Sequence, residues 1–138
     1  MKETWQEGKI AVQNTINSNH SKQEELFLTL LEDKLKTPIL RKQTVYYAND
    51  EQNKKYLYPD GLIENKNIII EYYGDFWHAN PHTYKENDIK AKDIWERDNI
   101  KNSEYEKLGY RVIIIWQKDF INDKNKCVED IFNKINDL

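Results

Sequence analysis

Cysteine is nearly missing from this 138-residue chain, in which Cys127 stands alone. A single thiol cannot build a disulfide framework or a cysteine-rich zinc site, and the shortage fits a reducing compartment. Long apolar runs are missing too. The runs at 68–70 and 112–116 fall far short of the roughly 20 residues that cross a bilayer. The first residues carry no basic-then-apolar leader pattern. The expectation is therefore a soluble, cytoplasmic protein with no membrane partner. Glycine and proline are few, and no repeat or low-complexity linker divides the chain. An excess of positive charge is also absent, the net charge being −3. Nucleic-acid binders usually show a basic balance. An acidic metal site would nevertheless subtract charge locally while lysines elsewhere reach phosphates.

What the chain does have is charge and aromatic rings together. Charged residues make up 33% and aromatics 12%, with a mean hydropathy of −0.94. A disordered chain would not carry so many rings. The length fits one domain with a real core. It divides into an N-terminal helical arm (1–20), a main body (21–120) and a C-terminal helix (121–138).

The apolar spacing predicts the elements. The first 20 residues read as a polar helix ending near "NSNH", with Trp5, Ile10, Val12 and Ile16 as its apolar positions. A second helix spans 21–35, with Ser21 as N-cap and Phe27, Leu28, Leu31 and Leu35 on one face. Pro38 ends it. Strands follow at 39–47, 56–63 and 67–73, the last two joined by an "ENKN" turn. A long helix covers 85–108 and stops at Gly109. "YRVIIIW" (110–116) reads as a fully buried strand central in a sheet. A short helix at 125–137 closes the chain. The order is α-α-β-β-β-α-β-α, a mixed sheet of about four strands flanked by helices, α/β or α+β.

Four carboxylates stand where this pattern wants other residues. Glu24 shares a helical face with Phe27, Leu28 and Leu31, although Ser21 and Glu24 also have capping-box spacing. Asp60 lies in "YPDGLI", which reads equally as a Pro-Asp-Gly turn. Glu71 interrupts "IIIEYY" on the face of Ile69 and Tyr73; a buried carboxylate there costs several kcal/mol without a partner, unless the strand has reached the sheet edge. Asp98 sits mid-stripe among Ala91, Ile94, Trp95, Asn102, Tyr105 and Leu108. It is the strongest misfit of the four, the other reading being a salt-bridged aspartate that faces a neighbouring element.

His78 adds a group that titrates near neutrality. With His82 it has H-x-x-x-H spacing, but Asn80-Pro81 breaks the helix a zinc pair would need. Taken together, Asp60 and Glu71 on adjacent strands, with a peptide carbonyl beside the second, suit Mg²⁺. A histidine nearby can act as base on water, which is the apparatus of phosphodiester hydrolysis.

"YPDGLIENKNIIIEYY" resembles the PD-(D/E)xK nuclease pattern, with Tyr73 at the usual lysine position. The segments "SNHSKQEELF", "PDGLI", "GDFWH" and "ERDNIKNSEYEKLGYRVIIIW" resemble the very-short-patch repair (Vsr) endonucleases and related phage homing nucleases with an EDxHD motif. The resemblance runs from Ser18 to Phe120 and falls on Glu24, Asp60, Tyr72 (the variable position), His78 and Asp98.

It implies a PD-(D/E)xK restriction-endonuclease-like core. Asp60 and the Tyr72 main-chain carbonyl would bind Mg²⁺, or Mn²⁺ in its place, with Glu71 a possible further ligand. His78 would be the base that replaces the lysine, supported by Asp98 and Glu24. Phe76 and Trp77 match an aromatic pair that wedges into duplex DNA, or they pack beneath their own loop. The repair enzymes' structural zinc site is not expected, since Cys127 is alone. Position 75 is Asp and position 73 is Tyr, where those enzymes have Cys and His, so the resemblance points to a phage- or mobile-element-type relative.

The expectation is a metal-dependent DNA endonuclease, as monomer or homodimer, possibly joined to a separate DNA-recognition module. Nicking, double-strand cleavage and target sequence stay open. Arg41 and Lys42, with Lys34, Lys36, Lys54 and Lys55, would line a backbone groove or form a solvated face. Two other readings stand beside it: a non-catalytic DNA-binding or partner-docking module, favoured by Tyr73, and a nuclease for RNA or branched DNA.

Overall fold

The computed structural model describes residues 11–48, 54–74 and 89–137. Helix α1 (Ala11–Leu35) is followed by strands β1 (Val45–Ala48), β2 (Lys54–Leu57) and β3 (Gly61–Ile63). A 3-10 turn (Glu64–Lys66) leads into β4 (Ile68–Tyr73), and then come α2 (Ile89–Lys107), β5 (Arg111–Trp116), α3 (Gln117–Asn122) and α4 (Lys124–Asn136). The protein is a mixed α and β fold. Among the described residues no helix is long and apolar enough to cross a membrane.

Among the described residues three strands, where about four were expected, form the main sheet in the order β3-β4-β5, antiparallel between β3 and β4 and parallel between β4 and β5. β1 and β2 form a separate antiparallel ribbon. The sheet buries both faces, as a parallel pair flanked by helices must. Ile68, Ile70 and Tyr72 point into the larger core cluster with Phe27, Leu28 and Leu31 of α1, Phe120 of α3, and Val128, Ile131 and Ile135 of α4. Ile69 points the other way and packs with Val45, Leu62 and Tyr105. Phe27, Tyr72 and Phe120 meet with ring centroids 5.4 to 6.1 Å apart, two of the three contacts edge-on. This aromatic knot fixes the end of β4 against α1 and α3.

Several expectations need correcting. Helix α1 runs unbroken through Ser21, so there is no helix start there and no capping box with Glu24. No breaker separates 11–20 from 21–35, and a serine inside a helix costs only a few tenths of a kcal/mol. The stretch expected as one strand at 39–47 is a single bridge, Leu40 to Leu62, followed by the short β1. The strand expected at 56–63 is cut in two, because Pro59 lacks an N–H to continue a ladder. β5 is an edge strand among the described residues rather than a central one, and only Ile113 and Ile115 along it are fully buried. The "ENKN" turn is a 3-10 turn closed by Asn67 in the left-handed region (φ 54°), a conformation asparagine tolerates. Gly109, expected to end the long helix, lies just beyond α2 with φ 98°.

Candidate active site

The site is built where β3 gives out beside β4. Leu62 exchanges both backbone hydrogen bonds with Leu40 at 2.9 Å, so its peptide groups face away from β4. Gly61 and Ile63 pair instead with Ile70 and Ile68. By the alternation of a ladder, Tyr72 turns its peptide groups toward the same side, beyond the end of β3. There the Asp60 carboxylate takes the place of a strand: its Oδ2 accepts the Tyr72 N–H at 2.8 Å. The Tyr72 carbonyl faces the same edge, because N–H and C=O of one extended residue point the same way.

Burial pushes the Asp60 carboxyl up to about 8, helped by the charges of Glu24 and Glu71 and opposed by the Tyr72 N–H and the Lys101 ammonium. Three carboxylates from three elements, α1, the approach to β3, and β4, therefore bear on one another. Glu71 is almost wholly buried, at 3% exposure. Its Oε1 faces the Lys101 Nζ at 3.4 Å. Tyr105, also buried, sets its hydroxyl against the Glu71 carboxylate; burial and that charge push the phenol well up.

Helix α2 lies over this face of β4. Asn102 donates from Nδ2 to the Tyr73 hydroxyl at 3.2 Å. The Tyr73 ring meets Trp116 edge-on at 5.2 Å and carries the Lys101 ammonium 5.6 Å from its centroid. Burial pushes the Tyr73 phenol up, with the charges of Asp98, Glu71 and Asp60 adding to it. Asp98 is thus part of the same neighbourhood. It is buried, and its Oδ1 accepts from the exposed Arg97 guanidinium at 3.3 Å.

Of the expected site residues, Glu24 and Glu71 bear electrostatically on Asp60, which holds the Tyr72 N–H, and Asp98 bears on the neighbouring Tyr73. Phe76, Trp77, His78 and His82 lie outside the described residues. Arg41 is engaged elsewhere. Its guanidinium forks onto Glu25 at 3.0 and 3.2 Å and reaches Glu32 at 3.1 Å. Lys42 is exposed, in the left-handed region with φ 58°. Lys34 pairs with Glu129 at 2.9 Å.

Lys101 was not foreseen. Its position three residues after Asp98 was the available signal, since that offset brings it back to the same side of a helix.

Among the described residues no three His, Cys, Asp or Glu side chains converge into a ready metal cage. Mg²⁺ does not need one: it keeps several waters and is held by one or two carboxylates plus substrate phosphates. The Asp60 carboxylate, which burial and the neighbouring carboxylates disfavour in its charged form and a dication would favour, and a main-chain carbonyl on the same edge are hard oxygen donors of that kind. The residues present fit such an ion. Comparisons of the chain with protein-family models, with curated proteins and with solved structures find no match in any of the three.

Proposed function

We propose that the chain is a Mg²⁺-dependent DNA endonuclease on a PD-(D/E)xK core of the Vsr-like, EDxHD type. One observation carries the reading. Carboxylates from three separate elements, the buried Glu71 and the partly buried Asp60 and Glu24, act on one another where β3 begins beside β4, and Asp60 there holds the backbone of Tyr72 at 2.8 Å. Burying like charges together costs several kcal/mol, and a hard dication offsets that cost. Asp60 just before β3, and Glu71 on the neighbouring strand β4 of a mixed sheet, support the same core.

The residues divide the work. Asp60 and the Tyr72 carbonyl would hold the ion, with Glu71 beside them. A bound Mg²⁺ supplies Lewis acidity and a polarised water. His78, four residues past Gly74 in sequence, takes the water's proton. Asp98 and Glu24 orient that histidine or the waters around the site. Phe76 and Trp77 would supply stacking on the bases, worth about 1–3 kcal/mol per base.

The test is digestion of supercoiled plasmid with Mg²⁺, with Mn²⁺ and without either, comparing wild type with Asp60→Ala and His78→Ala. Asp60→Ala should abolish cleavage, and His78→Ala should lower it by about 10²–10⁴-fold. Equal rates in all three proteins would remove the assignment. The Lys101–Glu71 ion pair favours a second reading, a non-catalytic DNA-binding module whose acidic pocket is already compensated. DNA binding with no cut in either metal supports that reading. Offering RNA and branched DNA in parallel separates a nuclease with another substrate.

A further inference from the structure

The carboxylate cluster already holds a cation of its own. Lys101 sits one helical turn from Asp98, its ammonium 3.4 Å from Glu71 Oε1. That is long for an ionic hydrogen bond, which closes to about 2.7–2.9 Å when it is optimal. The two partners are unequally buried: the Lys101 side chain is 31% exposed and that of Glu71 only 4%. The ammonium therefore has a way out to water that the carboxylate lacks.

It also has a second resting place. The Tyr73 ring lies beneath Nζ at 5.6 Å from the centroid, held edge-on against Trp116 and tied by its hydroxyl to Asn102. An ammonium on a flexible four-carbon stem can withdraw from Glu71 and stay attracted to that ring.

We infer that Lys101 is a built-in counter-ion of this site, holding Glu71 in the metal-free protein and yielding it when a divalent cation binds. The inference rests on the metal reading above. It assigns Lys101 as a positioning residue that acts through Glu71. The ion pair compensates the charge of a carboxylate that is only 4% exposed, and so helps keep β4 and α2 docked before metal arrives. It also makes the cation compete with an ammonium, which sets the concentration at which the site fills.

The experiment is calorimetric titration of the metal-free full chain with Mn²⁺ alone, for wild type, Lys101→Gln, Lys101→Arg and Asp60→Asn. Lys101→Gln removes the competing charge, so it should bind Mn²⁺ about tenfold more tightly, while Lys101→Arg stays near wild type. In a Glu71→Gln background the Lys101→Gln effect should shrink to under about twofold, because the paired carboxylate is gone. A lysine with a merely structural role would weaken binding when removed.

Wild-type protein with ¹³C-labelled lysine gives a readout that survives if Lys101→Gln fails to fold. Saturating Mg²⁺ should move the Lys101 Cε resonance toward that of solvent-exposed lysines. Unchanged or weaker Mn²⁺ binding by folded Lys101→Gln overturns the inference, as does a Lys101 resonance that saturating Mg²⁺ leaves in place. If wild type binds no Mn²⁺ at all, the metal reading itself falls and this inference with it, an outcome distinct from a wild type that binds while Lys101 makes no difference.

Discussion

The Asp60 carboxylate accepts the Tyr72 N–H at 2.8 Å, so the proposed metal ligand is also the piece that finishes the edge of β4. Its two roles separate by substitution. Asp60→Asn keeps an acceptor oxygen for the N–H but removes the charge. Asp60→Ala leaves the N–H unmatched, at about 1–3 kcal/mol. Both should lose cleavage, while urea unfolding at pH 7 should find Asp60→Ala the less stable of the two.

The same carboxyl gives a pH dependence with a definite sign. Asp60 is raised from 3.8 to about 8 in the folded protein, mainly by burial and then by Glu24 and Glu71. Between those values the folded chain binds a proton the unfolded chain has lost. Metal-free stability is therefore greatest below pH 3.8 as far as Asp60 is concerned, and falls as pH rises to about 8. Asp60→Asn should flatten this decline. Saturating Mg²⁺ should oppose it, since a dication favours the ionised carboxylate. Urea midpoints of wild type and Asp60→Asn from pH 4 to 9, with and without Mg²⁺, check both statements.

Much of this neighbourhood was legible as misfits in the apolar pattern. Glu71 and Asp98 stood on faces otherwise filled with Ile, Trp and Tyr, and both are buried. Glu24 had a local explanation in Ser21, which fails because α1 passes through Ser21 without starting there. β5 misled for a different reason. Apolar residues on both sides of "VIIIW" mean that both faces of the strand are covered, and say nothing about whether both edges are paired. Lys101 was hidden by its length: a lysine on a helix flank reads as solvated, yet its stem can bring the ammonium back over the interior. The ribbon of β1 and β2 was merged into longer strands because alternation continues through Tyr58-Pro59-Asp60 even where hydrogen bonding stops.

Tyr73 occupies the strand position where the nuclease pattern that the sequence resembles has lysine, and here it is packed and tied down. Its hydroxyl accepts from Asn102, and its ring is held by Trp116. Burial pushes its phenol up, so it holds its proton throughout the neutral range. Tyr73→Phe keeps the ring and loses one hydrogen bond, which should cost about 1 kcal/mol of stability. Plasmid cleavage should stay within about threefold of wild type, against the 10²–10⁴-fold loss that follows removal of an acid or base. A loss of that larger size would make the hydroxyl part of the chemistry.

Arg41 and Lys42 are neighbours with opposite prospects at DNA. The Arg41 guanidinium is already spent on Glu25 and Glu32, and its side chain is only 23% exposed. Lys42 is exposed. Lys42→Ala should therefore reduce the slope of log affinity against log salt by about 1, the signature of one lost phosphate contact. Arg41→Ala should leave that slope nearly unchanged and lower the thermal midpoint instead, because it unlinks α1 from the segment that follows it. Fluorescence anisotropy on a duplex at several salt concentrations, with thermal melts of the same proteins, distinguishes the two.

Gly61 of β3 packs closely against Ile39 and against Leu28 of α1. A Cβ there would lie 2.8 Å from Ile39 Cγ2 and 3.1 Å from Leu28 Cδ2. Leu28 Cδ2 ends a flexible side chain and can give way. Ile39 Cγ2 sits on a β-branched carbon with little freedom. Gly61→Ala should thus overpack the core and destabilise by about 1–3 kcal/mol. Because Asp60 is the adjoining residue, the same strain should weaken its hold on the Tyr72 N–H and lower Mn²⁺ affinity as well. Ile39→Ala removes the obstructing methyl, at its own cost of about 2–5 kcal/mol. If the 2.8 Å contact is the cause, the double variant should lose less than the sum of the two single losses. Strict additivity in urea unfolding would place the strain somewhere other than at Ile39.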